Sequence, residues 1–111
     1  LWYQQLFGDG NFYIELQNHG LEEQKQVLFQ LVQLARETNI PLVATNDAHY
    51  LTREDSKMQS VLICIQTGKT LADPDKMEFE TDEFFVKTTG EMYHLFSFAQ
   101  DACENTVKIA E

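Results

Sequence analysis

Apolar residues recur in this chain with two different periods, and the changes of period mark out its elements. Over residues 21–38 they fall at 21, 27, 28, 31, 32, 34 and 35, the 3.6-residue rhythm of a helix with one buried face. Glu22 and Glu23 sit in the first turn, where the helix dipole favours negative charge. Asn39 suits a left-handed cap, and Pro41 prevents continuation. Residues 12–16 (Phe-Tyr-Ile-Glu-Leu) and 42–45 (Leu-Val-Ala-Thr) are short runs rich in aromatic, β-branched and apolar side chains, and they read as buried strands. Strand, helix, strand with short connections is a βαβ unit. It predicts parallel strands, a right-handed crossover and both strand ends at one common edge, where α/β proteins place ligand sites.

The remaining pattern is mostly helical. Residues 1–7 carry apolar positions 2, 3, 6 and 7, a short helix that Gly8-Asp9-Gly10 breaks. Thr52 with Asp55 three positions later is a capping box, followed by Met58, Val61, Leu62 and Ile65 at i, i+3, i+4, i+7, with Gly68 closing the helix. Residues 71–80 read as an irregular connection and 83–87 as a short strand. Thr88 and Glu91 offer a second capping box for a helix carrying Met92, Leu95 and Phe96, and residues 101–111 form a last helix with Ala102, Cys103, Val107 and Ala110.

Charge narrows the function. Eighteen acidic against eight basic residues give a net charge of -10, which repels phosphate backbones, so the segment by itself is not a nucleic-acid grip. No apolar run approaches the roughly 18 residues of a membrane span. Cys64 and Cys103, in a chain with no secretory signal pattern, suit a reduced cytoplasmic protein, and both lie in apolar helical patterns as core residues rather than nucleophiles. The chain starts at Leu1 and stops within a helical pattern, so it is expected to be a piece of a longer one.

The candidate chemistry lies where the second strand stops. Asp47 and His49 are two positions apart, so in an extended backbone both side chains point to one face and could share a divalent metal. The same residues also read as a plain turn with His49 packed beside Tyr50. Two donors are half a site at most, because zinc takes about four ligands and harder ions more. His19 ends the first strand's loop at the same edge, either as a third pole or as a loop residue at the helix start. His94 has no assigned role. The acidic run from Asp73 to Glu83 lacks the regular spacing and central glycine of a calcium loop and reads as a solvated face. Gly68-Lys69-Thr70 closes a helix rather than opening one, so it is not a phosphate loop.

Five blocks in order carry a family resemblance: residues 12–20 (FYIELQNHG), 43–51 (VATNDAHYL), 64–70 (CIQTGKT), 79–84 (FETDEF) and 104–107 (ENTV). Together they resemble the C-terminal part of the polymerase-and-histidinol-phosphatase (PHP) domain of bacterial DNA polymerase III alpha subunits. The resemblance implies an α/β fold, a fragment of a distorted (βα)7 barrel with a parallel βαβ unit. Residues 1–70 would end the PHP domain, and 71–111 would form a mixed strand and helix segment leading toward the polymerase palm. In that family a late Asp-x-His binds metal, which implies Asp47 and His49 as ligands of zinc or manganese, with metal-dependent 3′–5′ exonuclease or phosphodiesterase chemistry. The family's early His-x-His and its other ligands have no counterpart here. The parent would be a cytoplasmic DNA-directed DNA polymerase using magnesium in its palm, with primer-template DNA, deoxynucleotides and other holoenzyme subunits as partners. The segment alone would be inactive. A free-standing PHP-type phosphoesterase and an inert PHP scaffold for replisome subunits are the rival readings.

Overall fold

In the computed structural model, which describes residues 1–111, the chain runs α1 (Trp2–Phe7), β1 (Ile14–Leu16), α2 (Glu22–Thr38), β2 (Leu42–Ala44), a 3-10 turn (Arg53–Asp55), α3 (Ser56–Thr67), α4 (Thr89–Leu95) and α5 (Gln100–Ala110). The rhythm over residues 21–38 produces α2, and Asn39 ends it in the left-handed region at φ 54°, its amide donating to the Ala35 carbonyl. Pro41 then turns the chain into β2, which pairs with β1 in parallel: Ile14 opposite Leu42, Glu15 opposite Val43, Leu16 opposite Ala44. The parallel pairing expected of a strand–helix–strand unit therefore holds. Both strands end at one edge, where Gln17 to His19 lie beside Thr45 to His49.

One face of this two-stranded sheet carries the core. Leu16, Leu42 and Ala44 pack with Leu28 and Ala35 of α2, with Phe96 and Ala99, and with Ala102 and Cys103 of α5. Residues on both sides of position 70 thus share one core. Pro41 and Thr45 bond to β1, which turns the Leu42 carbonyl toward the open edge of the sheet, and buried Asn105 of α5 satisfies it from 2.8 Å. Arg36 of α2 and Asp101 of α5 close the outer side with a two-pronged ion pair at 2.9 and 3.2 Å.

Both expected capping boxes form. The Asp55 carboxylate accepts from the Thr52 amide and hydroxyl, and that of Glu91 accepts from the same two groups of Thr88. These bonds, from the backbone amide foremost, hold both carboxyls below their ordinary pKa, and the Arg36 guanidinium does the same for Asp101 against a smaller opposing effect of burial. Groups with depressed folded pKa values contribute stability above the ordinary carboxylate range and lose it as pH falls through the folded values. Melting temperature is therefore expected to be level from neutral pH down to that range and to fall below it. Replacing Asp55 and Glu91 with Asn and Gln should flatten the acid limb; an unchanged limb would refute the linkage.

One expectation fails for want of a partner. Residues 83–87 do not form a strand; they make one parallel bridge, Phe85 to Tyr50, because the partner chain turns away at Thr52. The stripe on α3 is present but uncovered: Met58 is 64% exposed and Ile65 73%, and only Cys64 of that helix is buried. Trp2, Tyr3 and Phe7 of α1 are likewise exposed. No helix is long and apolar enough to cross a membrane.

Candidate metal-binding edge

Asp47 and His49 stand at the carboxyl edge of β2, but not as an extended chain would hold them. Asp47 has φ 47°, in the left-handed region, so the equal-face argument from alternating side chains does not apply. The turn instead swings the His49 ring back over the chain, where Nδ1 lies 2.6 Å from the Asp47 carbonyl oxygen. A carbonyl only accepts, so Nδ1 carries the proton and Nε2 keeps its lone pair free. That tautomer is the one a metal-binding histidine adopts when its other nitrogen is held by backbone. The Asp47 carboxylate is exposed and meets no donor within the chain. Beside His49 opens a cavity of about 460 Å³, lined by Gln59, Ile63, Met77, Glu78 and Phe79. No third His, Cys, Asp or Glu converges to complete a site.

A left-handed Asp is tolerated because its short polar side chain can bond locally, but it still strains the backbone relative to glycine. Asp47→Gly is accordingly expected to be about 1 kcal/mol more stable than Asp47→Ala in chemical denaturation. Equal stabilities would show that the turn relaxes when the side chain is changed.

His19 is part of this edge in another way. It is 1% exposed; its Nε2–H donates to the Asn46 carbonyl at 2.6 Å, while Nδ1 accepts from the Gln24 side-chain amide at 3.0 Å. Gln24 is fixed in that sense because its oxygen accepts the His19 backbone amide at 2.7 Å. Both ring nitrogens are therefore engaged, Nε2 with the loop that carries Asp47 and Nδ1 with Gln24 of α2. The ring also stacks on Phe84 at 4.0 Å, and Phe79 stacks on Phe84 at 4.5 Å. His49 meets Phe84 edge-on at 5.6 Å, so one aromatic ring touches both histidines.

The bridge segment that supplies Phe84 is the part of the site that patterning does not reveal. The Phe84 carbonyl accepts from the His49 amide at 2.7 Å, and the Val86 amide donates to the Tyr50 carbonyl at 3.1 Å. Phe85 has Arg53 over its ring at 4.7 Å and Lys87 at 4.2 Å. Both cations also reach Glu83, and Arg53 pairs with Asp82 at 2.8 Å. Part of the acidic run is thus neutralised rather than solvated. Burial pushes the Tyr50 phenol up, and a bond from the Phe84 amide partly offsets it.

The other candidates stay apart from the edge. His94 is exposed on α4, Lys69 pairs with Asp75 at 2.9 Å, and Cys64 and Cys103 are buried free thiols. Burial raises the Cys103 pKa, with Asp101 and Glu104 adding to it, so its thiolate is disfavoured.

No family model matches the chain. Sequence relatives do. It is 45% identical over its full 111 residues to DNA polymerase III subunit alpha of Borreliella burgdorferi, covering 10% of that protein. It is 47% identical over 109 residues to the subunit of the same name from Treponema pallidum, and 46% over 108 residues to that of Thermus aquaticus, covering 98% and 95% of this chain and 9% of each relative. These matches run over nearly the whole of the chain. Along its whole length the chain is similar to one segment of DNA polymerase III alpha subunits, and it spans about a tenth of the length of the relatives it matches.

Proposed function

We propose that this chain completes the PHP barrel of a replicative DNA polymerase and presents Asp47 and His49 to a divalent metal, zinc or manganese. Residues 1–70 end the barrel in this reading, and 71–111 return over it before leading toward the palm. The full-length subunit adds deoxynucleotides to a primer in the cytoplasm with magnesium in its palm, and it binds primer-template DNA and the other holoenzyme subunits. With a net charge of -10 the segment itself stays off the DNA. The observation that carries the reading is similarity to alpha subunits along the whole chain. The metal role draws its support from the free Nε2 of His49 and the unengaged Asp47 carboxylate. A metal held there, with further donors from elsewhere in the subunit, would act as a Lewis acid toward a phosphodiester and lower the pKa of bound water.

One observation favours a second reading, an inert scaffold: both nitrogens of His19 are spent on structure and only two donors remain. Metal analysis and primer extension on the full-length subunit, beside the 111-residue chain, separate the two. The full-length protein is expected to extend a primer and to hold metal, whereas the short chain binds zinc or manganese weakly and loses little more on His49→Ala. A metal-free full-length protein would favour the scaffold. Tight stoichiometric metal on the short chain would show that the site is complete within it.

A further inference from the structure

Lys87 has a cation on a flexible stem, yet its side chain is only 5% exposed, and nothing in the metal-site reading requires it. Burying an ammonium is costly unless it is paired and hydrogen-bonded. Here Nζ donates to the Glu83 carbonyl and to the Asn46 side-chain oxygen at 3.1 Å, lies 3.4 Å from the Glu83 carboxylate and faces the Phe85 ring. Asn46 is the residue just before the left-handed turn at Asp47. It is held at three points: its oxygen by Lys87, its amide nitrogen donating to the Phe85 carbonyl at 2.6 Å, and its backbone carbonyl accepting from His19 at 2.6 Å. With the carbonyl of Asn46 held and Asp47 in its left-handed conformation, the point from which the Asp47 side chain leaves the backbone and the carbonyl that orients His49 are set too.

We propose that Lys87 is a positioning residue for the metal donors Asp47 and His49, acting through the side chain of Asn46. The inference rests on the metal reading above. Its sign is unusual and gives it a sharp test. If Lys87 acted only as a nearby positive charge it would repel a divalent cation, and neutralising it would tighten metal binding. If it acts by position, neutralising it must weaken binding, by about ten- to a hundredfold as for other residues that orient metal ligands.

The experiment titrates Co²⁺ into the metal-stripped full-length subunit, reading both the dissociation constant and the visible ligand-field bands, with Lys87→Met, Asn46→Ala, the double variant and His49→Ala alongside wild type. Lys87→Met and Asn46→Ala should each weaken Co²⁺ binding and alter the bands, and the double variant should be no worse than the more severe single one. Should Lys87→Met not fold, Asn46→Ala carries the same expectation, since it removes the acceptor and leaves Lys87 paired with Glu83. Unchanged or tighter binding in a folded Lys87→Met or Asn46→Ala, with binding lost in His49→Ala, overturns the positioning role and leaves the metal reading standing. Additive losses in the double variant overturn the route through Asn46. If His49→Ala leaves Co²⁺ affinity and bands unchanged, the metal reading fails and the role of Lys87 falls with it.

Discussion

Phe96→Ala is expected to destabilise the fold by about 3 to 5 kcal/mol, the range for emptying a fully enclosed aromatic site. Phe96 is wholly buried against the shared core, immediately after α4, where its amide caps the helix by donating to the Met92 carbonyl at 3.0 Å. Its neighbours there, Ala99 and Ala102, are small and themselves buried, so they have no side-chain length with which to refill the space. Neither strand is longer than three residues, and each depends on the helices packed over its one covered face. The loss should therefore spread to the sheet, with faster hydrogen exchange at the paired amides of β1 and β2. Phe98→Ala is the control, because that ring is 39% exposed and its removal should cost much less. Equal losses for the two variants would mean that the core is centred elsewhere.

On the proposed metal reading, His49→Ala in the full-length subunit is expected to remove metal from this edge and to lower the melting temperature. An ion present at a hundred times its dissociation constant adds about 2.7 kcal/mol to the state that binds it, and that increment disappears with the ligand. Nuclease activity that depends on the site should fall with metal content. Primer extension should persist at temperatures where the subunit remains folded, since the proposed reading assigns nucleotide addition to a different metal site. Metal content, melting temperature and primer extension belong on one preparation. A variant that keeps wild-type metal content and melting temperature, from a parent without nuclease activity, would remove His49 from the ligands and hand the segment to the scaffold reading.

The parts legible in the sequence are those whose causes are local. The rhythm that builds α2, its stop at Asn39, the capping boxes at Thr52 and Thr88 and the parallel pairing of β1 with β2 follow from spacing within a few residues or from one short connection. What escaped was decided by groups distant along the chain. Residues 83–87 carry a strand-like composition, but their only ladder partner is Tyr50, more than thirty residues earlier. The stripe on α3 follows from local spacing, but its exposure does not. Asp47 and His49 are legible as candidates, while their geometry is not: the left-handed turn directly follows Asn46, whose partners are His19, Phe85 and Lys87. A short polar residue of a type that tolerates positive φ, directly after a strand, was the one local signal for that turn.

The single bridge between Tyr50 and Phe85 also separates the length of the chain from the shape of the site. It pins both ends of an excursion that contains α3 and the irregular stretch after it, so the residues between need only return to the same point. Closing such a loop grows more costly only with the logarithm of its length, about 0.6 kcal/mol for each doubling. Residues 71–76, an exposed and turn-rich stretch away from the clasped aromatic rings, are therefore where this segment can lengthen, shorten or carry a reporter peptide while Asp47 and His49 keep their places.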